Sequence, residues 1–160
     1  MHLSFRLLAA IAMIPLAVVY QQTGGKHMEA RGTFEVEVVP AEATEFERKA
    51  GIARFEMKKE WSGDLAGTSE GEMITSFTES TGSMAYVAME RVTGKLGGRS
   101  GSLYLAHKAT MKKGDASSAE MSIVVVKGSG TGQLTGLSGG LKILIDATGK
   151  HSYVLEYEIP

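Results

Sequence analysis

Between Gly32 and Pro40 the chain alternates, with Phe34, Val36 and Val38 on one side and Glu35 and Glu37 on the other. A period of two is the signature of a strand with one dry and one wet face. The rhythm returns in Ile52–Trp61, where Ala53, Phe55, Met57 and Trp61 alternate with Arg54, Glu56, Lys58 and Glu60. Between these runs "AEATEFERKAG" is polar and ends in glycine, as a loop or a single helical turn would. Ser62–Thr78 reads as a glycine-broken strand with Met73 and Phe77 on one face, entered through a tight turn at Ser62-Gly63-Asp64. "SMAYVAMERVTGKL" and "SGSLYLAHKATMKK" flank the Gly97-Gly98 pair, and "AEMSIVVVKGSGTGQLTGL", "GGLKILIDAT" and "HSYVLEYEI" follow. Eight runs of strand length, with no helical stripe beyond a couple of turns, predict an all-β chain. An eight-stranded antiparallel β-barrel is the expected fold, because closure abolishes sheet edges and leaves an interior for side chains or one small ligand.

The run from Tyr86 to His107, "YVAMERVTGKLGGRSGSLYLAH", has two residues that do not suit burial. A two-residue turn at Gly97-Gly98 pairs Leu96 with Arg99, with glycine supplying the positive φ. Tyr86, Ala88, Glu90 and Val92 then share a face with Leu103, Leu105 and His107. Glu90 sits opposite Leu105, with His107 diagonal to it and within reach. Val87, Met89, Arg91, Ser102, Tyr104, Ala106 and Lys108 take the other face, and the two cations there mark it as the outside. A carboxylate and an imidazole are therefore expected together in the interior. Such a pair can serve as general acid and base, or the two groups can simply satisfy each other in the core.

Composition narrows the chemistry. The chain has 160 residues, enough for one domain with a real core. A net charge of −1 gives no bulk field to attract nucleic acid or an anionic membrane. Cysteine is absent, which removes disulfides, thiol nucleophiles and zinc knuckles. Twenty glycines describe a chain that turns often. "VVVKGSGTGQLTG" lacks both the third glycine and the following helix of a dinucleotide loop, so its glycines read as bends at a barrel corner. "GKHS" at Gly149–Ser152 is no phosphate loop for the same reason, and His151 reads as an exposed residue beside a turn. Glu70 and Glu72 read as a solvated face. Too few histidines remain for a multi-histidine metal centre, and neither metal nor nucleotide cofactor is expected. The methionines suit an adaptable apolar cavity or ordinary core filling. Trp61, Tyr86, Tyr153 and Tyr157 suit a pocket wall or packing with a hydroxyl at the rim.

The first twenty residues, "MHLSFRLLAAIAMIPLAVVY", have the basic start and apolar run of a signal peptide, although the cleavage site is poor. "GGKHM" offers another origin, since its codons permit a ribosome-binding sequence just before an initiating Met28. The expected division is a leader over 1–27 and a barrel over 28–160. Met28 as the start makes the protein cytoplasmic, whereas a true signal makes it periplasmic or secreted.

Met89-Glu90-Arg91, Gly98-Arg99-Ser100-Gly101-Ser102, His107, Gly128-Ser129-Gly130-Thr131-Gly132 and the Tyr153/Tyr157 strand carry a resemblance to a bacterial family of unknown function. It spans roughly Glu29 to Pro160. Members look like the allene-oxide-cyclase barrel, which is also similar to plant dirigent proteins. The resemblance implies a closed eight-stranded barrel with His107 inside, a bound hydrophobic molecule steered through cyclisation or coupling, and homo-oligomers. No catalytic residue of the cyclases carries over. Leu103 stands where the family is expected to have an aromatic, a departure that would enlarge a cavity.

The expected function is binding of a small hydrophobic molecule in the barrel, with isomerisation or cyclisation as its enzymatic form. Glu90 and His107 are the candidate catalytic pair, and Met73, Tyr86, Leu103 and Leu105 the candidate ligand wall. The alternatives are a non-catalytic carrier and a structural or interaction protein with a filled barrel.

Overall fold

A computed structural model describes residues 26–160. Eight strands run in chain order: β1 (Lys26–Pro40), β2 (Ile52–Gly63), β3 (Leu65–Thr78), β4 (Ser83–Leu96), β5 (Arg99–Lys112), β6 (Asp115–Val125), β7 (Ser138–Ile145) and β8 (His151–Ile159). Each pairs antiparallel with its sequence neighbour, and β8 returns to β1 to close the barrel. Between β1 and β2 lies one short helix, α1 (Glu45–Ala50), held by a Thr44–Glu47 capping box and stopped by Gly51 in the left-handed region. The signal-peptide reading falls on residues outside the described part, and the start-site reading on Gly24–Met28 straddles its edge. Lys26 and His27 open β1, opposite Ile159 and Glu158 of β8. That pairing draws the strand six residues further upstream than the alternation from Gly32 indicates.

Inward and outward positions follow the period of two. Ala30 and Phe34 of β1, Trp61 of β2, Val92 of β4, Leu103 and Leu105 of β5, and Tyr153 and Leu155 of β8 are buried. Glu35, Arg91 and Lys108 are exposed on the outer wall. The β4–β5 register pairs Leu96 with Arg99 and Glu90 with Leu105, with His107 opposite Ala88, as the glycine-pair turn predicts. Gly97 and Gly98 both take positive φ there.

β3 is continuous where the sequence reads as glycine-broken. Its Gly67 faces Gly94 of β4. A Cβ on Gly94 would lie 2.2 Å from the Ala66 carbonyl oxygen, so the two backbones meet where no side chain fits. Gly94→Ala is therefore expected to destabilise the barrel by about 1–3 kcal/mol, read as a lower urea midpoint; an unchanged midpoint would contradict so close an approach.

The two ends of the barrel differ. The β2–β3 and β4–β5 turns and the long β6–β7 connection lie at one end, and that connection sends Leu134 and Leu137 into the core. β6 covers β5 only from Leu105 onward. The rest of β5 is covered by the connection itself. Ser129 Oγ, Thr131 Oγ1 and Gln133 Oε1 accept from the backbone N–H groups of Tyr104, Ser102 and Ser100 at 3.0, 2.9 and 2.9 Å. Alternate side chains thus stand in for a missing strand and satisfy an edge that would otherwise be unpaired. This gives the "GSGTGQ" segment a structural purpose, and it also buries Ser102, which the alternation puts outside. Tyr153 completes the plug: its hydroxyl accepts from the Leu65 N–H at 2.8 Å, and its ring meets Trp61 edge-on at 5.2 Å. At the opposite end the inward positions stay partly open.

Candidate functional site

Midway along the barrel four inward side chains from successive strands converge: Lys59 (β2), Ser69 (β3), Glu90 (β4) and His107 (β5). All four are buried, Glu90 completely. Lys59 Nζ lies 2.7 Å from Glu90 Oε2 and His107 Nε2 lies 3.0 Å from the same oxygen. The Ser69 hydroxyl donates to Glu90 Oε1, and Trp61 Nε1 donates to Ser69 Oγ at 2.9 Å. The Lys59 ammonium also stands over the Phe34 and Trp61 rings, 4.9 and 5.0 Å from their centroids. Gly71 faces Glu90 across β3–β4, and a Cβ there would press on the Glu90 backbone at 2.8 Å.

The electrostatics of the cluster are uneven. Burial pushes the Glu90 carboxyl up, but the adjacent His107 ring, the Lys59 ammonium and the Ser69 hydroxyl together outweigh it, and the net direction is down. Burial also pushes the Lys59 ammonium down, and its single anionic partner does not offset that. Glu90 is therefore an ionised carboxylate with two hydrogen-bond donors, Lys59 and Ser69, and the His107 ring beside it. His107 stays incompletely used: although Nε2 is close to Oε2, the line of its N–H misses the carboxylate. Among the described residues it is the one buried side-chain nitrogen or oxygen without a hydrogen-bond partner.

A pH dependence follows with a definite sign. A depressed carboxyl stabilises the fold above its ordinary value of 4.5 and loses that contribution as pH falls through the folded-state value. Stability of the natural protein is expected to drop on acidification below about pH 4.5. Replacing Lys59 with methionine and Glu90 with leucine together should make that slope shallower by up to about 1.4 kcal/mol per pH unit. Urea midpoints across an acid series measure it, and identical slopes would exclude Glu90 as a source.

Above the cluster, toward the open end, lies an apolar cavity of about 330 Å³ walled by Phe55, Met73, Phe77, Met84, Tyr86 and Met111, with Thr75 and Ala109 between them. Met84 faces Met111 across β4–β5 and Phe77 across β3–β4. Tyr86 links cavity and cluster, its phenol pushed up by burial and then by the Glu90 charge. A larger concavity of about 550 Å³ lies on the outer wall, where Ile74, Val87, Lys108 and Ser122 project outward. None of the four clustered side chains borders it. No three His, Asp or Glu side chains among the described residues converge as metal ligands.

Glu90 and His107 are thus brought together, and Met73 and Tyr86 share one cavity wall. Leu103 and Leu105 lie in the packed half, each 1% exposed, and neither borders the cavity. The aliphatic residue at 103 packs against the core rather than opening a space. His151 is half-buried with its ring 5.0 Å from that of Phe34, rather than free beside its turn. Sequence reasoning passed over Lys59 and Ser69. The available signal was parity: Lys59 shares a face with Met57 and Trp61, and Ser69 with Leu65 and Met73.

None of the curated proteins matches the chain. A solved structure described as a protein with unknown function from the DUF3224 family, from Shewanella oneidensis MR-1, is 35% identical. The match covers 84% of this chain and 100% of that one, with a TM-score of 0.74. The profile of the family described as "Protein of unknown function (DUF3224)" matches residues 30–157, nearly the whole barrel. By that match the chain belongs to the DUF3224 family.

Proposed function

We propose that this protein binds a small apolar molecule in the open half of its barrel. The observation that carries this reading is the contrast between the two halves: one is sealed with leucines and aromatics, the other keeps an apolar cavity of about 330 Å³. That volume is at the lower end of small-molecule sites, which start near roughly 300 Å³. Flexible methionines on the wall adapt to different shapes, and Tyr86 offers a polar handle.

The unpaired His107 Nε2 favours a second reading, in which the bound molecule is isomerised or cyclised without a cofactor. In that reading the cavity excludes water and holds the substrate folded. His107 gives or takes the proton, Glu90 stabilises the charged imidazole, and Lys59 keeps Glu90 ionised. The resemblance of the sequence motifs to an allene-oxide-cyclase-like family supports this reading at the level of fold alone. The covered position of Glu90 and His107 beneath the cavity favours carriage over catalysis.

Purification from the native host followed by native mass spectrometry tests the binding. The expected result is one apolar molecule retained per barrel and released on unfolding. With that molecule identified, His107→Ala is expected to leave its affinity within a few-fold if the protein is a carrier, and to abolish turnover if it is an enzyme. A protein that retains nothing and takes up no neutral apolar dye such as Nile red would overturn the proposal.

A further inference from the structure

We infer that Met84 and Met111 form an oxidation-sensitive site through which peroxides close the ligand cavity. The inference rests on the binding reading above. Thioethers are distributed unevenly along the barrel: the packed half uses Leu65, Leu96, Leu103 and Leu105, whereas the cavity wall carries Met73, Met84 and Met111. Met84 and Met111 are direct neighbours across β4–β5, and they are 37% and 42% exposed. They are therefore both reachable from solvent and in the path of an entering ligand. Met57, further in, is 8% exposed.

The chemistry balances with hydrogen peroxide as the oxidant. The sulfur lone pair attacks one peroxide oxygen, the O–O bond breaks, and the second oxygen leaves as water after proton transfer. Sulfur is oxidised to the sulfoxide and the peroxide is reduced. A sulfoxide is a strong, wet dipole. Two of them facing each other across the wall would have to be dehydrated before an apolar ligand could seat there. Reduction of the sulfoxides by a methionine sulfoxide reductase restores the thioethers, so the change is reversible.

The test uses the full chain and Nile red. After mild peroxide treatment, peptide mass spectrometry should find one added oxygen on each of Met84 and Met111, and dye affinity should fall roughly tenfold or more. A reductase should bring the affinity back. Met89, 49% exposed on the outer face and absent from the cavity wall, serves as the comparator, because its oxidation should not matter. In the double variant Met84→Leu, Met111→Leu, the dye affinity of the untreated protein, whatever its value, should be the same after peroxide treatment. An equal loss of affinity in that variant would overturn the inference, and so would full oxidation of both residues with unchanged dye binding. If the untreated protein binds no dye, the binding reading itself falls and takes this one with it.

Discussion

Replacing Glu90 with leucine is expected to remove a large part of the stability of the barrel. The side chain is fully buried, and the Lys59 side chain that it neutralises is 3% exposed. Taking away the carboxylate leaves an ammonium in the interior with only ring faces for company, and leaves the Ser69 hydroxyl without its acceptor. Breaking a buried pair by removing one partner costs about 3–5 kcal/mol, which is a substantial share of a typical domain's margin. For a domain of this size that corresponds to a melting temperature lower by about 10–20 °C. Removing both charges, with Lys59→Met beside Glu90→Leu, should recover most of the loss, because apolar replacements of similar volume do not leave an orphaned charge. Thermal melts of the single and double variants measure this. A single variant within about 1 kcal/mol of the natural protein would mean that water reaches Lys59 freely.

The second large effect concerns binding rather than folding. Ala109→Trp puts an indole into the cavity between Tyr86 and Met111. The substitution lies outside the Lys59–Glu90–His107 cluster and outside the packed core, so stability should change by no more than about 1 kcal/mol. Affinity for Nile red should fall at least about a hundredfold, since the indole occupies the space that the ligand needs. Val87→Lys on the outer wall is the matching control, and it should leave affinity unchanged. The reverse pattern would locate binding in the outer concavity near Lys108 and Ser122 instead.

Much of this barrel was legible because alternation and glycine punctuation are local signals. The Gly97-Gly98 turn sets the β4–β5 register, and that register alone puts Glu90 and His107 on one interior face. Lys59 escaped notice for an equally local reason. "KKE" at Lys58–Glu60 is three polar residues in a row, which hides which of them points inward. Only the pairing of β2 with β3, and of β3 with β4, brings Lys59 and Ser69 to Glu90. Ser69 is small and polar and suits either face. The division into a sealed and an open half depends on contacts far apart in sequence. Leu134 and Leu137 plug one end from a connection whose glycines suggest only bending, and Ser129, Thr131 and Gln133 pair with β5 in place of a strand. No periodicity announces such a substitute strand.

The residues that set the site apart work as a sequence of layers. Tyr153 and Trp61 close the floor of the packed half, the Lys59–Glu90–His107 layer holds buried charge above it, and the methionine wall lines the cavity at the open end.

The most direct measurement is a crystal structure of the protein with Nile red, or with the molecule recovered from its host. The account predicts continuous ligand density inside the barrel, bounded by Met73, Met84, Tyr86 and Met111, over an intact Lys59–Glu90–His107 layer. Density confined to the outer wall beside Val87 and Lys108, with the interior cavity collapsed by its own methionines, would contradict it.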